Sequence, residues 1–162
     1  MPMLRSLLYI LLLFRSPSYD LRHVPTLSAQ RVDAILAAHH SPAVGLGSYI
    51  VKLSWQYGVD DVYLMAFWGL ENQFGTDGST PARYHNPGNM TYSAGCKRAH
   101  CWRYYPSWRG GIKAWFELIV GPLYFGSGLY TVDAVAARYA PSSDGNYGYA
   151  VSIKRLVRMW RR

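Results

Sequence analysis

Carboxylates are scarce in this chain: nine Asp and Glu stand against seventeen Lys and Arg, and only two of the nine are glutamates, Glu71 and Glu117. The basic excess, formally +8, favours polyanionic partners such as nucleic acid, acidic lipid or an anionic cell wall, without choosing among them. Cysteine is nearly absent too, and the two present, Cys96 and Cys101, match no known zinc spacing. The apolar stretch at 7–14 has only eight residues, too few to span a bilayer. Apolar and aromatic residues are abundant, at 50% and 15%, which excludes disorder and supplies a core for one domain of 162 residues.

One of the two glutamates sits in a strongly apolar place. Glu71 ends the run Val62-Tyr-Leu-Met-Ala-Phe-Trp-Gly-Leu70 and precedes Asn72-Gln-Phe-Gly75. These uncharged, mostly large residues follow Asp60 and Asp61, either of which can cap exposed amides; the pattern predicts a helix stopped at Gly75. A helix apolar on every side belongs in the core. Burial disfavours the ionised carboxylate, and the carbonyl end of the helix, carrying about half a negative charge, disfavours it again. Proton donation near neutral pH needs such a raised pKa, so Glu71 reads as a general acid. The alternative is a glutamate that merely surfaces where its helix ends.

The chain divides at Pro25. Residues 1–25 form an N-terminal apolar segment and 26–162 the domain. Arg5, the stretch 7–14 and the small residues Ser16-Pro-Ser18 follow the order of a signal peptide, interrupted by Arg15. Export, giving a secreted or wall-associated protein, is the expectation; an uncleaved anchor, a short packed helix or a misplaced start codon are the alternatives. Past Pro25, six helices are expected. Their marks are Ser28 capping the stripe Val32, Ile35, Leu36; Leu46 to Tyr57; the run to Glu71; Ile112 to Leu123, interrupted at Gly121-Pro122, where the proline kinks it or starts a new turn; Thr131 capping a helix through Tyr139; and Tyr149 to Trp160.

Residues 76–111 are rich in turn formers and carry two strand-like pieces, 89–92 and 102–105. The predicted class is therefore mainly α, α+β, with a small β-hairpin lobe. A long irregular insertion in a helical domain is usually functional, and this one is aromatic and basic: Tyr92, Trp102, Tyr105 and Trp108 lie among Lys97, Arg98, Arg103 and Arg109. Flat rings stack on the apolar face of a sugar as readily as on a base, although some of them must simply pack the lobe. Cys96 and Cys101 would face each other near the hairpin tip, as a small disulfide or as two free thiols. A zinc site from His85, Cys96, His100 and Cys101 fails because adjacent His100 and Cys101 do not readily share a tetrahedral centre, so no metal is expected. His39 and His40 read as stabilising helix-end carbonyls.

Glu71-Asn-Gln-Phe-Gly-Thr76, Asn86-Pro-Gly-Asn89, Tyr105-Pro-Ser-Trp-Arg-Gly-Gly-Ile112, Thr131-Val-Asp and Arg138-Tyr-Ala-Pro141 with Asn146-Tyr147 together resemble the glucosaminidase family of bacterial and phage cell-wall hydrolases. The resemblance runs from about Thr26 to Trp160. It implies a lysozyme-like fold, cleavage of peptidoglycan glycan strands on the GlcNAc side, no cofactor, and Glu71 as the catalytic acid. It further implies a tyrosine facing that acid, which matches Tyr139, with Tyr147 second. Asn86, Asn89 and Gln73 become candidates for binding substrate, beside the ring-bearing Tyr92, Trp102, Tyr105, Trp108 and Tyr147.

Many members of that family carry a second carboxylate in the lobe, yet no Asp or Glu lies between Gly78 and Phe116. Asp77 reads as a turn residue, and Glu117 as the i, i+4 partner of Lys113. Attack by the substrate's own 2-acetamido oxygen would make one enzymic acid sufficient. Within the same fold, a lytic transglycosylase or muramidase is the rival; outside catalysis, a wall-binding module. Anionic wall polymers are admitted as partners, whereas nucleic-acid binding explains the lobe but not Glu71 and ranks last.

Overall fold

The computed structural model describes residues 19–93 and 99–162; the segment 1–18 and Cys96 lie outside them. Among the described residues the chain forms seven α-helices: α1 (Ala29–Ala38), α2 (Gly47–Tyr57), α3 (Asp61–Asn72), α4 (Thr80–Arg83), α5 (Trp108–Val120), α6 (Val132–Tyr139) and α7 (Tyr149–Trp160). The described chain is thus mainly helical, and none of these helices is long and apolar enough to cross a membrane.

Helix α3 is the centre of the packing because no face of it tolerates water. Every residue from Asp61 to Trp68 is buried. Helices α2 and α7 pack directly on it, α1 and α5 on α2, and α6 on α7. Phe67 meets the Trp115 ring at 5.6 Å and Trp68 meets Trp108 at 4.9 Å. Burying each such side chain contributes about 1.5–3 kcal/mol, so the aromatic centre dominates the favourable side of folding.

The starts of the helices follow their caps. Ser28 accepts from Arg31 N at 3.1 Å and Thr131 from Ala134 N at 3.3 Å. Helix α2 lacks a side-chain cap of its own; Asp33, on α1, accepts from Gly45 N and Gly47 N at 2.8 and 2.9 Å and so ties the two helices together.

Several boundaries differ from expectation. Helix α3 stops at Asn72, not Gly75, because Gln73 and Phe74 both take left-handed backbone, φ 52° and 58°. Gly75 follows at φ 85°, and a Cβ there would lie 2.4 Å from the Trp108 ring, so only glycine fits. Helix α5 begins at Trp108, capped by Ser107, and ends at Val120 with Gly121 as its C-cap; Pro122 opens a new turn, one of the two expected outcomes. The one-turn α4, with Pro81 in its first turn, has no counterpart among the expected elements.

Among the described residues the expected hairpin amounts to one antiparallel bridge, Thr91 to Trp102, with Tyr92 N donating to Cys101 O and Arg103 N to Met90 O, both at 2.9 Å. The ladder stops there because Asn86 fills its next places: its amide donates to Met90 O and Arg103 O and accepts from Met90 N. Residues 20 and 21, ahead of Pro25, also pack against the later chain. Leu21 is fully buried, its N–H donates to Tyr130 O, and Asp20 bridges Thr131.

Candidate active site

Glu71 lies in the last turn of α3 and opens onto a cleft of about 980 Å³. An amide network fixes that turn. Asn72 donates to Asn86 O at 2.8 Å and Asn89 Oδ1 at 3.0 Å, and accepts from Gly75 N at 2.9 Å; Asn89 donates to Glu71 O at 2.9 Å. Asn89 itself sits at φ 46°, and three further left-handed non-glycine residues, Gln73, Phe74 and His85, lie close by in sequence. Backbone strain of this kind, about 1–3 kcal/mol per residue, persists where surrounding hydrogen bonds overdetermine it.

Burial pushes the Glu71 carboxyl up to about 7, while the Tyr149 hydroxyl and the Asn89 amide pull it back down. Tyr149 donates to Glu71 Oε1. Its own hydroxyl is held well above the usual phenol range, first by burial and then by the adjacent Glu71 charge, so it remains a donor. Tyr139 stacks on Tyr149 at 6.3 Å and 18°. Its hydroxyl donates to Gly88 O at 2.5 Å. A Cβ on Gly88 would fall 2.3 Å from that oxygen, which makes glycine the residue that lets the loop close against α6.

Of the expected site residues, Glu71, Asn89, Tyr92, Trp102, Tyr139 and Tyr147 line this one cleft. Tyr92 and Tyr147 are its open aromatics, 66% and 84% exposed. Four others are elsewhere. Trp108 is 8% exposed, wedged between Trp68 and His85. Asn86 is fully buried and serves the bridge and the acid's loop. Tyr105 packs against the core, with its hydroxyl on Met90 Sδ at 3.8 Å. Gln73 is the C-cap of α3, exposed and outside the cleft lining.

The tyrosine that touches the acid is therefore Tyr149, where the sequence pointed to Tyr139. The readable signal was its place: it is the polar-tipped member of an otherwise apolar α7 stripe that packs on α3. Arg103, Tyr124, Arg138 and Asp144 also line the cleft.

The remaining candidates have local duties. His85 Nδ1 pairs with Tyr105 O at 2.8 Å, His39 packs on Phe74, Asp77 accepts from Ser79 N, and Glu117 binds Lys113. Cys101 is buried and disulfide-bonded. Among the described residues no three His, Cys, Asp or Glu side chains cluster as metal ligands would. The cleft thus offers one acid that keeps its proton close to neutrality, oriented by a phenol and flanked by rings. The chain matches no protein-family model, and no curated protein is significantly similar to it.

Proposed function

We propose that the protein is a peptidoglycan hydrolase that cuts the glycan strand at N-acetylglucosamine, an endo-β-N-acetylglucosaminidase acting as a secreted or wall-associated enzyme. The observation that carries this reading is the Glu71 carboxyl, raised to about 7 at the base of a ring-lined cleft. An acid delivered by a buried helix beside a small bridged lobe also agrees with a lysozyme-like fold, in which the lobe corresponds to the hairpin. In this mechanism Glu71 protonates the glycosidic oxygen as the anomeric carbon gains oxocarbenium character. The substrate's 2-acetamido oxygen attacks that carbon, and water opens the resulting ring. Tyr149 holds the carboxyl in position, and the exposed rings of Tyr92 and Tyr147 stack on sugar faces.

Digestion of purified peptidoglycan followed by mass analysis tests this reading: new reducing GlcNAc ends are expected. Anhydro ends, formed without added water, would instead identify a lytic transglycosylase. That second reading is favoured by the absence of any carboxylate at positions 79–115, since such an enzyme also works with one acid. Wall binding without released fragments would leave only a binding module.

The orienting role of Tyr149 has a distinctive signature. Its hydroxyl lowers the Glu71 pKa, so Tyr149→Phe moves the basic limb of the kcat/KM profile to higher pH while kcat falls about tenfold. A limb displaced downward contradicts the assignment. Asp144, the other carboxylate of the cleft, has no part in the substrate-assisted route. Asp144→Asn should leave kcat within about threefold; a loss comparable to that of Glu71→Gln would make it the second catalytic carboxylate.

A further inference from the structure

Two guanidinium groups line the Glu71 cleft: Arg103 from the bridged segment and Arg138 from the last turn of α6. The two segments are joined at the cleft by the Tyr139 hydroxyl on Gly88 O. Among the described residues neither arginine has an acidic partner; the ion pairs there use Arg22, Lys113, Lys154 and Arg161. Each is tethered to a neutral carbonyl instead. Arg103 Nε donates to Thr91 O at 2.9 Å, and Arg138 Nη1 donates to Leu123 O. The guanidinium of Arg103 also lies 5.9 Å from the Tyr92 ring centre.

A tether through one N–H fixes a guanidinium; Arg103 also reaches the Tyr105 hydroxyl, and the donors that remain on each group keep a geometry that suits a carboxylate. Arg103 is half-buried, where a cation acts through a lower dielectric than on open surface and attracts an anion over a longer reach; Arg138 is exposed and acts through its fork geometry instead. The opposing charge is Asp144, a single acid. Glu71 adds little, because near neutrality much of it is protonated.

We infer that the cleft selects glycans bearing carboxylate groups over neutral glycans of the same length, and that Arg103 and Arg138 bind those groups. The inference rests on the glycan-cleaving reading of the site and narrows its substrate class. A chitin-type chain offers these arginines only hydroxyls and amides. A strand whose alternate sugars carry lactyl or peptide carboxylates offers each a charge-assisted, two-pronged partner.

The test uses full-length Glu71→Gln protein, so that binding is read without turnover through quenching of tryptophan fluorescence, Trp102 lying in the cleft. Its ligands are two tetrasaccharides, neutral chitotetraose and a GlcNAc–MurNAc tetrasaccharide with free lactyl carboxylates. The carboxylated ligand is expected to bind about tenfold more tightly at low salt, with the preference shrinking at about 0.5 M salt. Adding Arg138→Ala should weaken the carboxylated ligand about fivefold and the neutral one by less than about twofold, whereas Arg138→Lys keeps part of the preference. Equal affinity for the two ligands, an equal loss for both in Arg138→Ala, or no binding of the carboxylated ligand overturns the inference. A preserved preference in a protein that releases no wall fragments would sink the hydrolase reading and leave this one standing.

Discussion

Glu71→Gln is expected to abolish wall lysis and, above pH 7, to make the folded protein more stable. Glutamine keeps the shape of the side chain and an oxygen for the Tyr149 hydroxyl but has no proton to give. General acid catalysis contributes about 10²–10⁴-fold, so kcat should fall by at least about a hundredfold in an assay of muropeptide release. The stability effect has the opposite sign. Folding raises the Glu71 pKa from 4.5 to about 7, so the folded state penalises the ionised form. That penalty is absent below pH 4.5, grows as pH rises towards 7, and is constant above it. A shift of this size corresponds to about 3 kcal/mol, reduced to about 1–3 kcal/mol because the carboxyl opens partly onto the cleft. Denaturant titrations of both proteins at pH 4.5 and pH 8 separate the cases. Equal stability at both pH values would mean that Glu71 is an ordinary surface acid; retained lysis would remove it from the chemistry.

The position of the acid was legible in sequence because two constraints coincide there. A run without charge can only be central, and its expected caps, Asp60 or Asp61 ahead and Gly75 behind, bracket within three residues the place where a carboxylate must emerge; the left-handed backbone of Gln73 and Phe74 that ends the helix earlier carried no such signal. Helices α1 and α6 were readable for a similar reason, each carrying Ser or Thr immediately before an apolar period. The start of α5 was not, since Trp108-Arg-Gly-Gly111 has the composition of a turn and only the Ser107 cap reveals the helix. Helix α4 is a single turn and too short to show any period.

The aromatic lobe was harder still, because a ring that fills a core and a ring that flanks a cleft have the same chemistry. Trp108 and Trp102 are six positions apart; one is wedged against Trp68 and the other lines the cleft, and no periodicity in an irregular segment separates them. The same ambiguity hid Tyr149 behind Tyr139. Both belong to one stacked pair, and which hydroxyl reaches the acid depends on how α6 and α7 pack, a relation absent from either segment alone. Asn86 carried the opposite lesson: a polar side chain in a motif can serve only the backbone around it.

The largest loss of stability is expected from Asp60→Ala, at the far end of the helix that ends in the acid. Asp60 is fully buried, yet its carboxylate accepts from Val62 N at 3.2 Å, Thr26 N at 3.0 Å, Thr26 Oγ1 at 2.8 Å and Arg161 Nη2 at 2.6 Å. One side chain thereby caps α3 and joins it to the chain before α1 and to the end of α7. Thr26 N keeps its second acceptor, Asp61 Oδ1, but alanine takes this acceptor from Val62 N and the Thr26 hydroxyl and leaves the Arg161 charge without its partner, which costs about 3–5 kcal/mol. Its neighbour Asp61 cannot substitute. Burial, then the Asp60 contact, push the Asp61 carboxyl up, and its Oδ1 is already occupied by Thr26 N and Leu27 N. Asp60→Asn keeps an acceptor without the charge and should fall between alanine and wild type in a denaturant titration. A cost below about 1 kcal/mol for alanine would contradict the central role given to this pair. Glu71 lies eleven residues further along the helix, about 16 Å at the α-helical rise. Below the melting temperature, Asp60→Ala should therefore change kcat by no more than about threefold, which separates the residue that anchors the helix from the one that uses it.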